Sequence, residues 1–178
     1  MTLRWGIAGT GRIASDFVRD LANIPDARAV AVGSRTAEGA QSFAASRGIA
    51  RSYGSMDDLF ADADVDVVYV AGIHPVHREH AIAAMRAGKH VLVEKPLAMN
   101  SRETAEMIEV SRATNRFLME AMWTRFNPLH VELKRRLDGS SRDFIVLQRR
   151  QIDALPPALS SRIEMIRSFG RYTLFAEK

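Results

Sequence analysis

The sequence predicts an α/β fold in which a parallel sheet is covered by helices on both faces. Five short runs rich in Ala, Val, Ile and Leu alternate with segments of helical spacing. Strands that are buried on both faces read as continuous apolar runs, and such strands belong to parallel sheets. A glycine follows two of the helical segments, at Gly48 and Gly88, as is typical of helix C-termini. Together these observations predict a doubly wound sheet.

Each element has its own local signal. Short apolar runs predict strands at residues 3–9, 27–34, 65–72, 90–95 and 116–122, and a shorter strand is expected at 51–55. Between the strands, apolar residues recur three and four positions apart, which is the spacing of one helix face. This spacing predicts helices at 13–24, 36–48, 56–62, 78–88 and 101–114, and one more at 128–137.

The length and composition limit the architecture. A chain of 178 residues can form one good core and the start of a second α/β domain, which we expect over 1–128 and 129–178 respectively. The absence of cysteine excludes disulfides, thiolate zinc sites and cysteine nucleophiles, and it is typical of a reducing compartment. With no apolar run of membrane-spanning length and no cleavable leader, we expect a cytoplasmic protein without a membrane partner.

The charge is unevenly distributed. Of the formal net charge of +4, most comes from residues 139–178, where seven basic residues face four acidic ones. A basic tail is a weak indication of polyanion binding. Because no basic motif interleaved with aromatic residues accompanies it, nucleic acid is not an expected partner.

A glycine pattern follows the first strand and opens the first helix. Its residues form a G-x-G-x-x-A pattern, namely Gly9, Thr10, Gly11, Arg12, Ile13 and Ala14. The first glycine allows a tight turn, the second lets the backbone approach a pyrophosphate, and the alanine allows close packing of helix and strand. A pyrophosphate would lie at the helix N-terminus. Since strand, turn, helix and second strand occur in this order, the pattern predicts a dinucleotide-binding Rossmann domain.

The end of the second strand indicates which dinucleotide is bound. An NAD site usually has Asp or Glu there to accept hydrogen bonds from the ribose 2′-hydroxyl. This chain has Ser34, Arg35 and Thr36 instead, and no carboxylate until Glu38. Arg35 can pair with a 2′-phosphate, and the two hydroxyls can donate hydrogen bonds. The pattern therefore favours NADP, with NAD as the alternative if Arg35 is only a solvated residue at the start of a helix.

The fourth apolar strand ends in an unusual Glu-Lys-Pro sequence, Glu94 to Pro96. The chain uses 21 Arg and only four Lys, so a lysine at the mouth of a buried strand is a specific choice. A lysine can lose its proton near neutral pH when it is buried, which a guanidinium cannot. Ligands bind at the carboxyl ends of strands in open α/β sheets, which places Lys95 among the candidate catalytic residues. The alternative is a structural pair between Lys95 and Glu94.

Three segments resemble one family. The glycine turn, AGKHVLVEKPLA (residues 87–98) and MEAMWTRFNP (residues 119–128) are similar to the NAD(P)-dependent oxidoreductases of the glucose-fructose oxidoreductase and inositol dehydrogenase family. EAMWTRF is most similar to its dihydrodiol and xylose dehydrogenase branch. The resemblance covers residues 3 to about 138. It implies that Lys95 is the catalytic lysine beside the nicotinamide, that Glu94 belongs to the cofactor site, and that the substrate is a sugar, polyol or dihydrodiol.

Other positions follow from the same resemblance. The segment GIHPVHREH (residues 72–80) corresponds to a family loop that borders the cofactor, which implies that His74 and His77 lie at the cofactor site. Trp123 and Arg125 follow a strand end and are expected on the substrate side, although Trp123 can equally pack against the next helix. His74, His77 and His80 with Glu79 also have metal-like spacing. A loop beside a pyrophosphate explains them more simply, so no metal is expected.

The resemblance fades after residue 138. The segment at 139–148 is compatible with the first strand of the family's second domain, but the glycine-rich helix start of that domain is not matched at SFGRYTLF. We therefore expect a truncated or fragmentary member, and no catalytic partner of Lys95 is assigned. The leading hypothesis is an NADP-dependent oxidoreductase that can form homo-oligomers. The alternative is a non-catalytic nucleotide-binding module or an inactive remnant.

Overall fold

A computed structural model describes residues 2–137, 144–148, 163–169 and 172–177 of the chain. The chain divides into two compact units, residues 1–121 and residues 122–178, and each is described by itself. No helix of the described residues is both long and apolar enough to cross a membrane.

The first unit is built on a six-stranded sheet in which every neighbouring pair of strands is parallel. The strand order is β3-β2-β1-β4-β5-β6, the order of the dinucleotide-binding fold. The predicted fold class is therefore confirmed, including the short third strand. The strands are β1 (Leu3–Ala8), β2 (Ala27–Gly33), β3 (Arg51–Tyr53), β4 (Val67–Val70), β5 (His90–Val93) and β6 (Leu118–Glu120).

Five helices connect these strands: α1 (Arg12–Leu21), α2 (Ala37–Arg47), α3 (Met56–Ala61), α4 (His77–Arg86) and α5 (Ser101–Thr114). A 3-10 turn at His74–Val76 leads into α4. The first helix ends at Leu21, three residues earlier than predicted, because Pro25 disfavours a helical conformation at Ile24. Gly48 ends α2 in the left-handed conformation, with a φ of 66°, as its sequence position predicts.

Both faces of the sheet are covered, which explains the continuous apolar strands. On one face, Ala8 and Val70 pack in a core with residues of α3, α4 and α5. On the other face, Ile7 and Tyr69 pack with residues of α1 and α2. Successive residues of a strand point to opposite faces, so β1 and β4 contribute alternate side chains to two cores. This arrangement fixes the carboxyl ends of the strands along one edge of the sheet.

The second unit contains a helix and a small antiparallel sheet. Its elements are α6 (Pro128–Leu137), β7 (Phe144–Gln148), β8 (Ile163–Phe169) and β9 (Tyr172–Glu177), with the strand order β7-β9-β8. The first of these strands lies within the segment 139–148 in which a strand was expected. Most of the basic tail, namely Arg142, Arg149, Arg150, Arg162, Arg171 and Lys178, lies outside the described residues.

Candidate cofactor and catalytic site

The predicted site residues of the first unit meet at the carboxyl edge of the six-stranded sheet. Backbone hydrogen bonds continue the parallel ladder beyond the strand ends: the N–H of Gly9 donates to the carbonyl of Gly33, that of Ala71 to Ala8, and that of Glu94 to Val70. These bonds fix the first residue of each loop. The glycine turn, the loop after β4 and the loop after β5 therefore start from defined positions along one edge.

Gly9 needs to be glycine for two independent reasons. Its φ of 123° lies in a region that residues with a side chain rarely adopt, and a Cβ there would lie 2.9 Å from the carbonyl oxygen of Ala71. The turn is therefore packed directly against the loop that follows β4. Gly11 differs, because a Cβ at this position would meet no protein atom within 4 Å. The open space beside Gly11 fits a ligand that approaches the backbone.

The start of α1 fits the pyrophosphate of a dinucleotide. The first backbone N–H groups of a helix need acceptors. In α2, α3 and α5 the side chains of Thr36, Ser55 and Asn100 provide one, whereas Gly11 caps α1 without any side chain. The first turn of α1 also contains no acidic residue. Arg12 and Ile13 begin the helix with exposed side chains, and Thr10 is half-buried in the turn. The residues present therefore fit NAD or NADP.

The end of β2 places Ser34, Arg35 and Thr36 in the next loop along the edge. The N–H of Ser34 donates to the carbonyl of Tyr53, and the hydroxyl oxygen of Thr36 accepts a 3.2 Å hydrogen bond from the N–H of Gly39. The hydroxyl of Thr36 is thus partly committed to capping α2. Arg35 is exposed and makes no hydrogen bond or ion pair within the described residues. Its guanidinium is available to an anionic ligand.

Lys95 lies in the loop after β5, which we call the lysine loop (residues 94–97). Its side chain is exposed, and its ammonium makes no ion pair with any described residue. The sequence interpretation relied on burial of this lysine at the strand end, and the chain alone does not bury it. The peptide bond between Lys95 and Pro96 is cis.

Glu94 does not pair with the ammonium of Lys95. One carboxylate oxygen accepts a 2.6 Å hydrogen bond from the hydroxyl of Tyr69, and the other accepts a 3.1 Å bond from the backbone N–H of Lys95. Burial, together with this hydrogen bond to Glu94, raises the pKa of the Tyr69 hydroxyl well above its usual value. The raised pKa keeps the Tyr69 hydroxyl protonated at neutral pH, so it acts as the hydrogen-bond donor to Glu94.

His77 is fully buried and joins two of the loops. Its Nδ1 lies 2.9 Å from the carbonyl oxygen of Pro96, and its Nε2 lies 3.1 Å from that of Gly72. A neutral imidazole donates one of these two hydrogen bonds, and an imidazolium donates both. Both ring nitrogens thus contact main-chain groups of this unit. His74 is exposed at the start of the 3-10 turn, with its ring 5.5 Å from that of His77. The cofactor roles of both residues stay predictions.

Glu120 is a residue of this edge whose role sequence reasoning missed. Its Oε1 accepts a 2.8 Å hydrogen bond from the N–H of Leu97, which ties the lysine loop to the end of β6. The only signal in the sequence was a lone glutamate at the end of an apolar strand, where a charged residue has little reason to be unless it has a partner. Tyr69 was missed for the opposite reason, because it reads as one apolar position in a buried strand.

The two residues expected on the substrate side belong to the second unit. Trp123 and Arg125 lie in a 3-10 turn, Trp123–Phe126, just before α6. Both side chains are exposed, and 58% of the Trp123 surface is accessible to solvent. Their roles toward a substrate stay predictions.

The first unit also contains a cleft that lies apart from this site. A cleft of about 480 Å³ opens at the opposite, amino edge of the sheet, beside Lys89 and Asp66. The ammonium of Lys89 donates hydrogen bonds there to the carbonyls of Asp62 and Val65, and burial lowers its pKa.

Among the residues that the structure describes, no group of three or more His, Asp or Glu side chains is arranged to hold a metal ion.

Comparison with known proteins agrees with this geometry. Residues 3–122 match the model of a family described as an oxidoreductase family with an NAD-binding Rossmann fold. A trans-1,2-dihydrobenzene-1,2-diol dehydrogenase of Xenopus laevis is 48% identical over 136 residues, which cover 75% of this chain and 41% of the relative. The corresponding protein of Danio rerio is 46% identical over 143 residues, with coverages of 79% and 43%.

Solved structures of oxidoreductases also match this chain. A 3-ketoreductase from Actinomadura kijaniata, determined in complex with NADP and TDP-benzene, has a TM-score of 0.72 and 32% sequence identity. The match covers 78% of this chain and 42% of that one. Each of these three matches thus covers less than half of the length of the known protein.

Proposed function

Because the chain belongs to the GFO/IDH/MocA oxidoreductase family, we propose that it is the nucleotide-binding part of an NADP-dependent dehydrogenase. One observation carries this proposal: three features lie together at one edge of the sheet. They are the glycine turn, where α1 begins without a side-chain cap, the unpaired Arg35, and the unpaired ammonium of Lys95. Each of these groups is free for a ligand rather than used within the described part of the protein.

The residues divide the work by position. Gly9 and Gly11 shape the turn, and the first N–H groups of α1 bind the pyrophosphate. Arg35 pairs with the negatively charged 2′-phosphate of NADP. The Asp or Glu that NAD sites usually have at this place would repel that phosphate. When bound, the nicotinamide supplies or accepts the hydride.

Lys95 handles the proton that accompanies hydride transfer. In the direction of reduction its ammonium donates a proton to the carbonyl oxygen of the substrate, and in the direction of oxidation its neutral amine accepts the hydroxyl proton. The exposed side chain of Lys95 leaves its terminal nitrogen accessible to an oxygen of the substrate.

The names of the relatives support a substrate class for this proposal. Two of them are named as dehydrogenases of dihydrobenzenediol, and a third as a ketoreductase. We accordingly assign a secondary alcohol or carbonyl of a sugar, polyol or dihydrodiol as the substrate, with Trp123 and Arg125 on its side of the site. A cytoplasmic location, supported by the cysteine-free composition, and a homo-oligomeric state belong to the same proposal.

A fluorescence titration of the purified 178-residue chain with NADPH and, in parallel, with NADH tests the proposal. Saturable binding that is clearly tighter for NADPH is the expected result. Tighter binding of NADH would contradict the role of Arg35, and no binding of either would contradict the proposal as a whole. A screen of sugars, polyols and dihydrodiols with Lys95→Ala as control then tests turnover. Binding without turnover would assign the chain as a non-catalytic nucleotide-binding module.

A further inference from the structure

The carboxylate of Glu94 is engaged on both of its oxygens, and neither partner is the ammonium next to it in the sequence. Oε1 accepts from the hydroxyl of Tyr69 at 2.6 Å, and Oε2 accepts from the backbone N–H of Lys95 at 3.1 Å. A glutamate beside a lysine in an exposed loop would otherwise be a ready partner for an ion pair. The ammonium of Lys95 is nonetheless unpaired within the described residues.

The side chain of Tyr69 is fixed by burial and by stacking, so its hydroxyl has a defined position beside Glu94. Only 1% of its surface is exposed, and its ring stacks on that of Phe17 with centroids 3.9 Å apart. Phe17 belongs to α1, the helix that begins at the glycine turn, and Tyr69 belongs to β4 at the centre of the sheet. The hydroxyl therefore presents its proton from a rigid position, whereas the side chain of Lys95 is long and solvated. A fixed donor loses little conformational entropy when it binds a carboxylate.

The geometry points to Tyr69 as a positioning residue that holds the carboxylate of Glu94 away from the ammonium of Lys95. An ion pair with Glu94 would favour the charged form of the lysine and would occupy it, and both effects oppose proton exchange with a substrate. Tyr69 acts through Glu94 and touches neither cofactor nor substrate. The catalytic meaning of this arrangement rests on the proposed function, whereas the arrangement itself can be tested without any cofactor.

Trace acetylation of the full chain, with the rate at each lysine read by mass spectrometry, provides the test. The sequence contains only four lysines, Lys89, Lys95, Lys134 and Lys178, so each can be followed individually. Only a neutral amine attacks the reagent, and a lysine paired with a carboxylate is neutral less often. The exposed Lys134 serves as the internal reference.

Tyr69→Phe keeps the stacked ring and removes the hydroxyl. We expect the rate at Lys95, relative to Lys134, to fall about two- to fivefold, which is the scale of an exposed ion pair. The double variant Tyr69→Phe, Glu94→Gln is expected to restore it, because an uncharged amide cannot form the pair. Tyr53→Phe is the matched control, since its hydroxyl also donates to a carboxylate, that of Asp62, at 3.1 Å. It should leave the rate at Lys95 unchanged.

Two results would overturn the inference. The first is an unchanged or increased rate at Lys95 in Tyr69→Phe, and the second is a decrease that Glu94→Gln does not reverse. If Tyr69→Phe does not fold, Glu94→Gln alone still tests the premise of the inference, namely that Glu94 does not pair with Lys95. We expect it to change the rate at Lys95 by less than about twofold, since no pair exists to be broken; a clear increase would show that Glu94 already pairs with Lys95.

The same samples separate this inference from the proposed function. All rates are measured without cofactor, and each protein is then titrated with NADPH. If the unaltered chain does not bind NADPH, the proposed function fails while the acetylation rates still decide the role of Tyr69. If the chain binds NADPH and the acetylation rate at Lys95 does not fall in Tyr69→Phe, the proposed function stands and the role of Tyr69 is wrong.

Discussion

The backbone N–H of Leu97 donates a 2.8 Å hydrogen bond to the carboxylate of Glu120. On the other side of the lysine loop, the carbonyl oxygen of Pro96 lies 2.9 Å from the buried ring of His77. Side chains from β6 and α4 thus hold consecutive residues of the loop that carries Lys95. The loop is exposed, yet its main chain is fixed by contacts with the sheet and its covering helix.

Replacement of Glu120 should loosen this attachment. In Glu120→Ala the partly buried N–H of Leu97 loses its acceptor, which costs about 1–3 kcal/mol in the free energy of unfolding. Glu120→Gln keeps an amide oxygen and should cost less. Urea unfolding measures both. Glu109→Ala, at an exposed position of α5, is the control and should stay within about 0.5 kcal/mol of the unaltered chain. Equal stability of all variants would contradict the attachment.

The two glycines of the turn should fail in different ways when each is replaced by alanine. Gly9→Ala should lower the free energy of unfolding by about 1–3 kcal/mol or more, because the new Cβ meets the carbonyl of Ala71 at 2.9 Å in a strained conformation. Gly11→Ala should leave the melting temperature nearly unchanged and weaken NADPH binding, since its Cβ enters open space on the ligand side. Thermal unfolding and the NADPH titration distinguish the two. Unchanged NADPH affinity in a folded Gly11→Ala variant would be evidence against a dinucleotide at this turn.

Arg35 should determine the preference between the two cofactors. Arg35→Ala is expected to weaken NADPH binding about tenfold, the scale of a hydrogen bond to a charged group, and to change NADH binding by less than about twofold. Arg28 lies near the opposite end of β2 and is also exposed, so Arg28→Ala is a matched loss of one positive charge. An equal effect of both variants on NADPH binding would indicate a general charge effect instead of recognition of the 2′-phosphate.

The acid stability of the first unit should depend on Asp66. Hydrogen bonds from Arg4, at 2.7 Å and 3.0 Å from its guanidinium, hold the pKa of Asp66 below 3.8. A carboxylate whose pKa is lowered by folding stabilises the protein above its unfolded pKa, and that stabilisation is lost as the pH falls through the folded pKa.

Asp66→Asn is therefore expected to lower the melting temperature at pH 7. It should also make the decline in melting temperature shallower below about pH 4, because no carboxylate remains at this position to be protonated. Asp26→Asn is the control, since the exposed side chain of Asp26 makes no hydrogen bond in the described part of the chain. Parallel acid profiles for the unaltered chain and Asp66→Asn would exclude this role for Asp66.

Much of the fold could be predicted because its signals are local. Apolar runs buried on both faces predict a parallel sheet, and the six strands of the parallel sheet lie where such runs, or the short segment at 51–55, occur. The glycine turn is equally local, since the φ of Gly9 and the open side of Gly11 are properties of single residues. The end of α1 was less predictable, because spacing alone does not show which turn is the last one before Pro25.

Local sequence patterns thus determined the sheet, its helices and the positions of Gly9, Gly11, Arg35 and Lys95 at strand ends. They could do so because periodicity and residue type are properties of a few neighbouring residues. Tertiary structure alone decided what surrounds Lys95. The bonds from Tyr69 to Glu94 and from Leu97 to Glu120 join residues 25 and 23 positions apart. They exist because parallel pairing places β4, β5 and β6 side by side, and no local pattern encodes which carboxylate a given donor will reach. For the same reason, sequence alone left open whether Glu94 pairs with Lys95, whereas the folded chain gives that carboxylate to Tyr69.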